Sequence, residues 1–436
     1  MKKNLRTGTT AYMDTGRKGR ATQFVTSGGF VLFVHLVCFV VASASALAIP
    51  GFTKFQDLNT AFGVPLWQGD SLWTENERDV AKRLGWPEES RTSTLGSYRL
   101  YPKEEMKVLG TRAFSLALYA EKGRVTQVSM VFANRGDYAK KSDMDRAAQA
   151  IEATLKPVLG DGTQSWFGQS RNVRYKVRRW NWKNHAILLE TPEPYVGVRI
   201  MPSDLADKEG RGEMISYQEL RQTLAQRVQR RSNGDVVIGE MPMVNQGPKG
   251  YCVPATWERY LRYLGIQADM YVLAMAGGTR TGGGTSSEQM FEAVSSLARR
   301  NGRRFEEINE PLTIPGLAKL IDKGFPVMWG IFFDKELEKK ITLRSKDRAN
   351  VTDWNAWLQT LASARGVGKV AKEMKPDPQT GVPTVINGHM RMIIGYNAKT
   401  KEIAMTDSWG EQFKERWLTV EEAQAMSQDK FWQVRW

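Results

Sequence analysis

The chemistry this chain could do rests on three side chains far apart in its 436 residues: the thiol of Cys252, the imidazole of His389 and the carboxylate of Asp407. Cys252 ends the approach Pro242-Met243-Val244-Asn245-Gln246-Gly247-Pro248-Lys249-Gly250-Tyr251. After it, Trp257, Leu261 and Leu264 fall on one helical face, and Gly265 stops the run. Pro254 lies in the first turn, where its missing N–H costs nothing. A thiol at a helix N-terminus meets partial positive charge, which favours the thiolate, the form that attacks carbon. Gln246, a few residues earlier, can donate its amide to an oxyanion alongside the Cys252 N–H.

The base candidate is His389. Ile386 to Tyr396 reads as a strand, Asn397 to Lys401 as a turn, and Glu402 to Met405 as a second strand leading into Thr406-Asp407-Ser408-Trp409-Gly410. A hairpin of this size can set Asp407 beside His389, holding the ring and stabilising its charge, with Trp409 as a shield from water. Each piece alone has an ordinary reading: a buried small thiol, a surface amide, a satisfied histidine at a strand start. Taken together, in this order, they point to nucleophilic acyl chemistry.

These residues carry a resemblance. Gln246 and Cys252, His389 through Gly395-Tyr396, and Asp407-Ser408-Trp409-Gly410 are similar to the motifs of papain-like cysteine peptidases. Within that group they most resemble the bacterial peptidases related to those that cleave double-glycine (bacteriocin) leaders. Tyr260 to Gly265 resembles the segment after the nucleophile in those leader peptidases, and Lys323 to Trp329 the strand entrance between cysteine and histidine. The resemblance covers about residues 236–436. It implies a papain-like α+β domain with Cys252 as nucleophile, His389 as base, Gln246 as oxyanion donor and Asp407 as orienting group. Papain-like families carry Asn at the Asp407 position, so an amide is expected to serve there. Cys252-Val253 departs from the family's Cys-Trp or Cys-Gly. The insertion from Asp334 to Val385, with a helix near Trp354–Ala364, is expected to act as a lid or substrate-selecting element.

A leader precedes all this. Residues 1–29 carry Lys2, Lys3, Arg6, Arg17, Lys18 and Arg20 against Asp14 alone; an apolar run from Phe30 to Ala42 and Ser43-Ala44-Ser45-Ala46-Leu47-Ala48 follow. This is the pattern of a secretory signal peptide over residues 1–48, cut after Ala46 or Ala48, with an uncleaved membrane anchor as the rival. Val37 is too large to precede a lipidated cysteine at Cys38. From a formal +15, losing six positive charges and one negative leaves +10. An exported protein of that charge is expected to meet anionic cell envelope or extracellular polymer rather than nucleic acid. Cleavage also removes Cys38 and His35, leaving one thiol and two histidines, so a disulfide scaffold and a cysteine-based zinc cluster are excluded. No metal spacing and no cofactor motif is present; Gly277 to Thr285 lacks the Gly-Lys-Ser/Thr of a phosphate loop. It reads instead as the approach to a helix capped by Thr285 or Ser286 with Glu288, bordering the cleft.

The rest of the chain must position these groups. Residues 50–202 read as a smaller α+β domain with an antiparallel sheet. Phe114, Leu116 and Leu118 alternate before a Lys122-Gly123 turn, and Val128, Met130 and Phe132 after it. A helix opening at Ser142 and Asp145 buries Met144, Ala148, Ile151 and Leu155; further strands fall around 173–182, 186–190 and 195–201. Arg171, Arg174, Lys176, Arg178 and Arg179, interleaved with aromatics, read as a solvated strand face, and His185 as structural. Residues 203–235 are a linker and a helix capped by Ser216 and Glu219, running to about Arg231; the peptidase-like domain spans 236–436. The expected function is an exported cysteine peptidase acting on peptide or protein. A thiol acyltransferase or cell-wall amidase is the enzymatic alternative, and a catalytically silent peptide- or envelope-binding protein the non-enzymatic one.

Overall fold

The structure is a computed structural model that describes residues 53–248, 250–281, 284–309, 312–377 and 381–435; the expected leader lies outside these residues. It is α+β, built on two eight-stranded antiparallel sheets. Among the described residues no helix is long and apolar enough to cross a membrane.

The first sheet runs, edge to edge, Glu88–Arg91, Leu95–Leu100, Ser115–Glu121, Arg124–Asn134, Tyr195–Pro202, His185–Glu190, Tyr175–Trp182, Thr163–Phe167. Its central hairpin turns at Lys122 (φ 49°) and Gly123 (φ 80°), a pair of left-handed residues whose twist matches that of the flanking strands. Helix Lys141–Leu159 covers one face, burying Met144, Ala147, Ile151 and Leu155 against Leu116, Leu118, Val128 and Ile187. The helix begins one residue before Ser142, because the Asp143 carboxylate accepts the Lys140 N–H (2.8 Å). The other face is also covered, which is why His185–Glu190 is buried at every position instead of alternating. Val131 and Tyr195 on that face join Val244, Tyr251, Ala255, Met270 and Tyr271 in one apolar cluster.

Helix Tyr217–Gln226 is capped by Ser216, whose hydroxyl accepts the Glu219 N–H (3.2 Å). It stops at Gln226, short of the expected Arg231. Val228–Arg230 instead pairs with Asp235–Ile238, so pairing overrides helical propensity and the second sheet starts inside the expected linker. That sheet continues through Gly388–Asn397, Val327–Phe332, Ser427–Arg435 and Arg304–Ile308; Glu402–Thr406 and Arg416–Thr419 branch from Gly388–Asn397. Helix Cys252–Tyr263 lies between the two sheets and is buried at every residue. Trp257 and Leu261 pack toward Met328, Met390 and Trp432 of the second sheet.

The basic segment matches its expectation as a surface strand. Arg174, Arg178 and Arg179 pair with Glu209 (3.0 Å), Glu152 (2.9 Å) and Asp207 (2.6 Å), while Tyr175, Trp180 and Trp182 are buried beneath. His185 is fully buried, its Nε2 accepting from Trp67 Nε1 (3.2 Å) and the Leu72 N–H (3.1 Å); burial pushes its pKa down to about 4.

Candidate functional site

Cys252 is the first residue of its helix, and its thiol interacts with the His389 ring. Burial pushes the thiol up. The positive charge and hydrogen bond of His389, with backbone N–H groups of Met390 and Val253, outweigh this and bring it below the ordinary thiol value. His389 is the second residue of strand Gly388–Asn397, so the strand carries its ring against the start of the helix; Thr256 ties the two elements by donating to the Met390 carbonyl (3.3 Å). The ring's Nε2 meets Asp407 Oδ1 at 2.6 Å, which leaves Nδ1 for the thiol side. Burial alone would lower the imidazole pKa, yet the Cys252 thiolate and Asp407 carboxylate raise it to about 9. Trp409 stacks on the ring at 4.6 Å and 25°, with Phe333 edge-on to the indole, covering the pair with apolar surface.

Asp407 follows Glu402–Thr406, the strand that the Asn397–Lys401 turn folds back onto Gly388–Asn397. The expected hairpin thus delivers the expected carboxylate. Gln246 enters through Ser408, the next residue: the Gln246 N–H donates to the Ser408 carbonyl (2.8 Å), and the Ser408 hydroxyl donates to Gln246 Oε1 (2.7 Å). The second bond sets which end of the amide carries the donors. The glycine-rich stretch borders this region, with the Gly284 N–H on the Gly250 carbonyl (3.1 Å), and its following helix Ser287–Arg300 is capped by Ser286.

Three charged residues escaped the sequence reading. Asp407 is ion-paired through Oδ2 to Arg416 and through Oδ1 to Arg391 Nε (3.3 Å). Both arginines also pair with Glu338, at 2.5 Å from Arg416 and 3.1 Å from Arg391. The result is a closed set of two positive and two negative charges behind the imidazole. Against burial, which raises it, this pair of guanidiniums holds the Asp407 carboxyl far below the usual carboxylate range. Glu338 belongs to helix Lys335–Arg348 of the insertion, so this part of the insertion buttresses the site from behind, a role the expected lid or selector does not include. Arg391 had a signal: it is two residues from His389, on the same side of the strand, in an otherwise apolar run.

The arrangement can hold a proton between sulfur and imidazole, keep the ring in one orientation, and offer an amide and a helix N-terminus to a developing oxyanion. Residues 238–435 match the model of the Peptidase_C39 like family. Among solved structures, the chain is similar to a protein of Bacillus anthracis described as a C39-like peptidase (14% identity, TM-score 0.30, 46% of this chain and 98% of that one). It is likewise similar to xylellain, a cysteine protease from Xylella fastidiosa (11% identity, TM-score 0.28, 49% and 88%). No curated protein matches the chain. The part of the chain that carries Cys252, His389 and Asp407 is therefore similar to the C39-like cysteine peptidases, with their papain-like α+β fold.

Proposed function

We propose that the protein is a thiol peptidase that hydrolyses amide bonds in peptide or protein substrates. The observation that carries this reading is the His389 ring held by Asp407 at 2.6 Å on Nε2 and interacting with the Cys252 thiol, whose pKa its charge lowers. In the resting pair the thiol proton sits on His389. The thiolate adds to the substrate carbonyl carbon; the carbonyl π electrons move to oxygen, where the Cys252 N–H and the Gln246 amide stabilise them. As the tetrahedral intermediate collapses, the C–N bond breaks and His389 gives its proton to the leaving nitrogen. Water then attacks the thioester, His389 takes its proton, and collapse releases the carboxylic acid and the thiolate. Asp407 holds the ring in one tautomer throughout. The leader pattern and the remaining +10 charge support the further reading that this chemistry takes place outside the cytoplasm, against anionic envelope material.

The test uses hydrolysis of fluorescein-labelled casein and of p-nitrophenyl butyrate, together with iodoacetamide alkylation at neutral pH. Rapid alkylation of Cys252 and turnover that vanishes in folded Cys252→Ala support the reading. A thiol that resists iodoacetamide, or full turnover in Cys252→Ala, overturns it.

A further inference from the structure

The segment that delivers Gln246 is held from the first half of the chain. Asn245, its immediate neighbour, is fixed at both backbone polar atoms: its N–H donates to Glu89 Oε1 (2.7 Å), and its carbonyl accepts from the Tyr101 hydroxyl (2.8 Å). Two residues before Asn245, the Met243 N–H donates to the Ser90 hydroxyl (2.8 Å). Glu89 is itself locked, since the same Oε1 takes Arg99 Nε at 2.7 Å, and both side chains are almost wholly buried. The Tyr101 ring lies against Gly247, where an added Cβ would come within 3.0 Å of its Cζ. The Asn245 side chain accepts the Gly247 N–H (3.0 Å), closing a tight turn around Gln246.

None of these contacts touches a reacting atom, yet together they leave the Gln246 backbone one place to sit. A part-buried backbone carbonyl stripped of its partner loses at most about 1–3 kcal/mol and shifts to find another. An oxyanion donor works only when it is already in place as charge develops. We infer that Glu89 and Tyr101 are positioning residues for Gln246, and that the first sheet is thereby a working part of the active site. This inference rests on the reading of Gln246 as oxyanion donor.

A double-mutant cycle on the full chain, with p-nitrophenyl butyrate as the probe, separates the two. Tyr101→Phe keeps the ring and removes only the hydroxyl; it should lower kcat about tenfold and leave KM unchanged, less than the 10²–10³ of a deleted donor. In a Gln246→Ala background the same change should have no further effect, since there is no donor left to position. Glu89→Gln, which keeps an acceptor for the Asn245 N–H, should retain more kcat than Glu89→Ala. The iodoacetamide rate of Cys252 should be unchanged in Tyr101→Phe, because the thiol–imidazole pair is untouched. A Tyr101→Phe loss that adds in full to that of Gln246→Ala, or no loss at all, overturns the positioning role while the oxyanion reading stands. A Gln246→Ala enzyme with unchanged kcat removes the oxyanion reading, and the inference with it.

Discussion

Ser408 holds Gln246 twice, once through its carbonyl on the Gln246 N–H and once through its hydroxyl on Oε1. The backbone bond survives substitution; the side-chain bond does not. Ser408→Ala should therefore leave Gln246 in place but free its amide to turn, so that the donor end faces the oxyanion only part of the time. The expected loss in kcat is about threefold to tenfold, matching one hydrogen bond of roughly 1 kcal/mol, with KM unchanged. Steady-state kinetics beside Gln246→Ala checks it: a loss equal to that of Gln246→Ala would give Ser408 a role of its own.

The resemblance implies that Asn could replace Asp407, because an amide oxygen can hold an imidazole. The geometry argues otherwise. Asp407 also balances Arg391 and Arg416, whose other shared anion among the described residues is Glu338. Asp407→Asn leaves one positive charge uncompensated in a fully buried cluster, and removing one partner of a buried pair costs about 3–5 kcal/mol. The variant should lose stability in urea as well as activity, and Asp407→Asn combined with Arg416→Met should recover part of the stability. A wild-type unfolding curve for the single variant would show that this carboxylate does nothing beyond orienting the ring.

What could be read from the sequence follows from how local each signal was. Cys252, Gln246, His389 and Asp407 lie in short segments where spacing alone fixes a helix start, a strand start or a turn. Arg416 reaches Asp407, and Glu338 reaches Arg416, only because Arg416–Thr419 pairs with Glu402–Thr406 and helix Lys335–Arg348 packs across them, contacts that no period encodes. The helix after Cys252 shows the same limit. Trp257, Leu261 and Leu264 predict one buried face, but Glu258, Arg259 and Arg262 are buried too, because other elements cover the opposite side. Glu258 Oε2 accepts the Met270 N–H (2.8 Å), and Arg259 donates to the Pro242 carbonyl (2.8 Å) and to Thr406 Oγ1 (2.6 Å). Charged residues on a helix usually mark a solvated face; here Arg262 lies over the Tyr119 ring of the first sheet, and Arg259 is held by Pro242 and Thr406.

The titration of the pair gives the pH profile. With the Cys252 thiol below its ordinary value and His389 raised to about 9, the thiolate–imidazolium state dominates between the two. Below this window the thiolate gains a proton and loses its nucleophilicity. Above about 9, His389 loses the proton that the leaving nitrogen needs. The kcat/KM profile should be bell-shaped with its alkaline limb near 9. Cys252→Ala removes the thiolate that contributes most to raising the imidazole, so the His389 titration should move down, while His185, held near 4 by burial, stays put. Proton NMR of the two rings reads both; an unmoved His389 would mean that thiol and imidazole do not share charge.

The residue before Cys252 ties it to the first half as closely as Asn245 ties Gln246. The Tyr251 hydroxyl lies in the first half, accepting from Asn134 Nδ2 (2.6 Å) and donating to Asp137 Oδ2 (3.2 Å), with Gly136 against it. A Cβ on Gly136 would stand 1.8 Å from that oxygen and 2.6 Å from the ring carbon that bears it, too close for any rotamer of a buried tyrosine to absorb. Gly136→Ala must therefore push Tyr251, and with it the first turn of the Cys252 helix, at a cost of about 1–3 kcal/mol for the overpacking alone. Tyr251→Phe probes the same seat without pushing: it removes the hydroxyl that accepts from Asn134 Nδ2, losing stability of about 1–3 kcal/mol. If the seat fixes the nucleophile, Gly136→Ala should slow iodoacetamide capture of Cys252 and lower kcat, whereas Tyr251→Phe should lower the melting temperature and leave the alkylation rate nearly unchanged. Measuring melting and alkylation on both variants separates displacement of the thiol from simple loss of stability. A Gly136→Ala protein that melts lower but alkylates and turns over like wild type would mean that the first half supports the fold without seating Cys252.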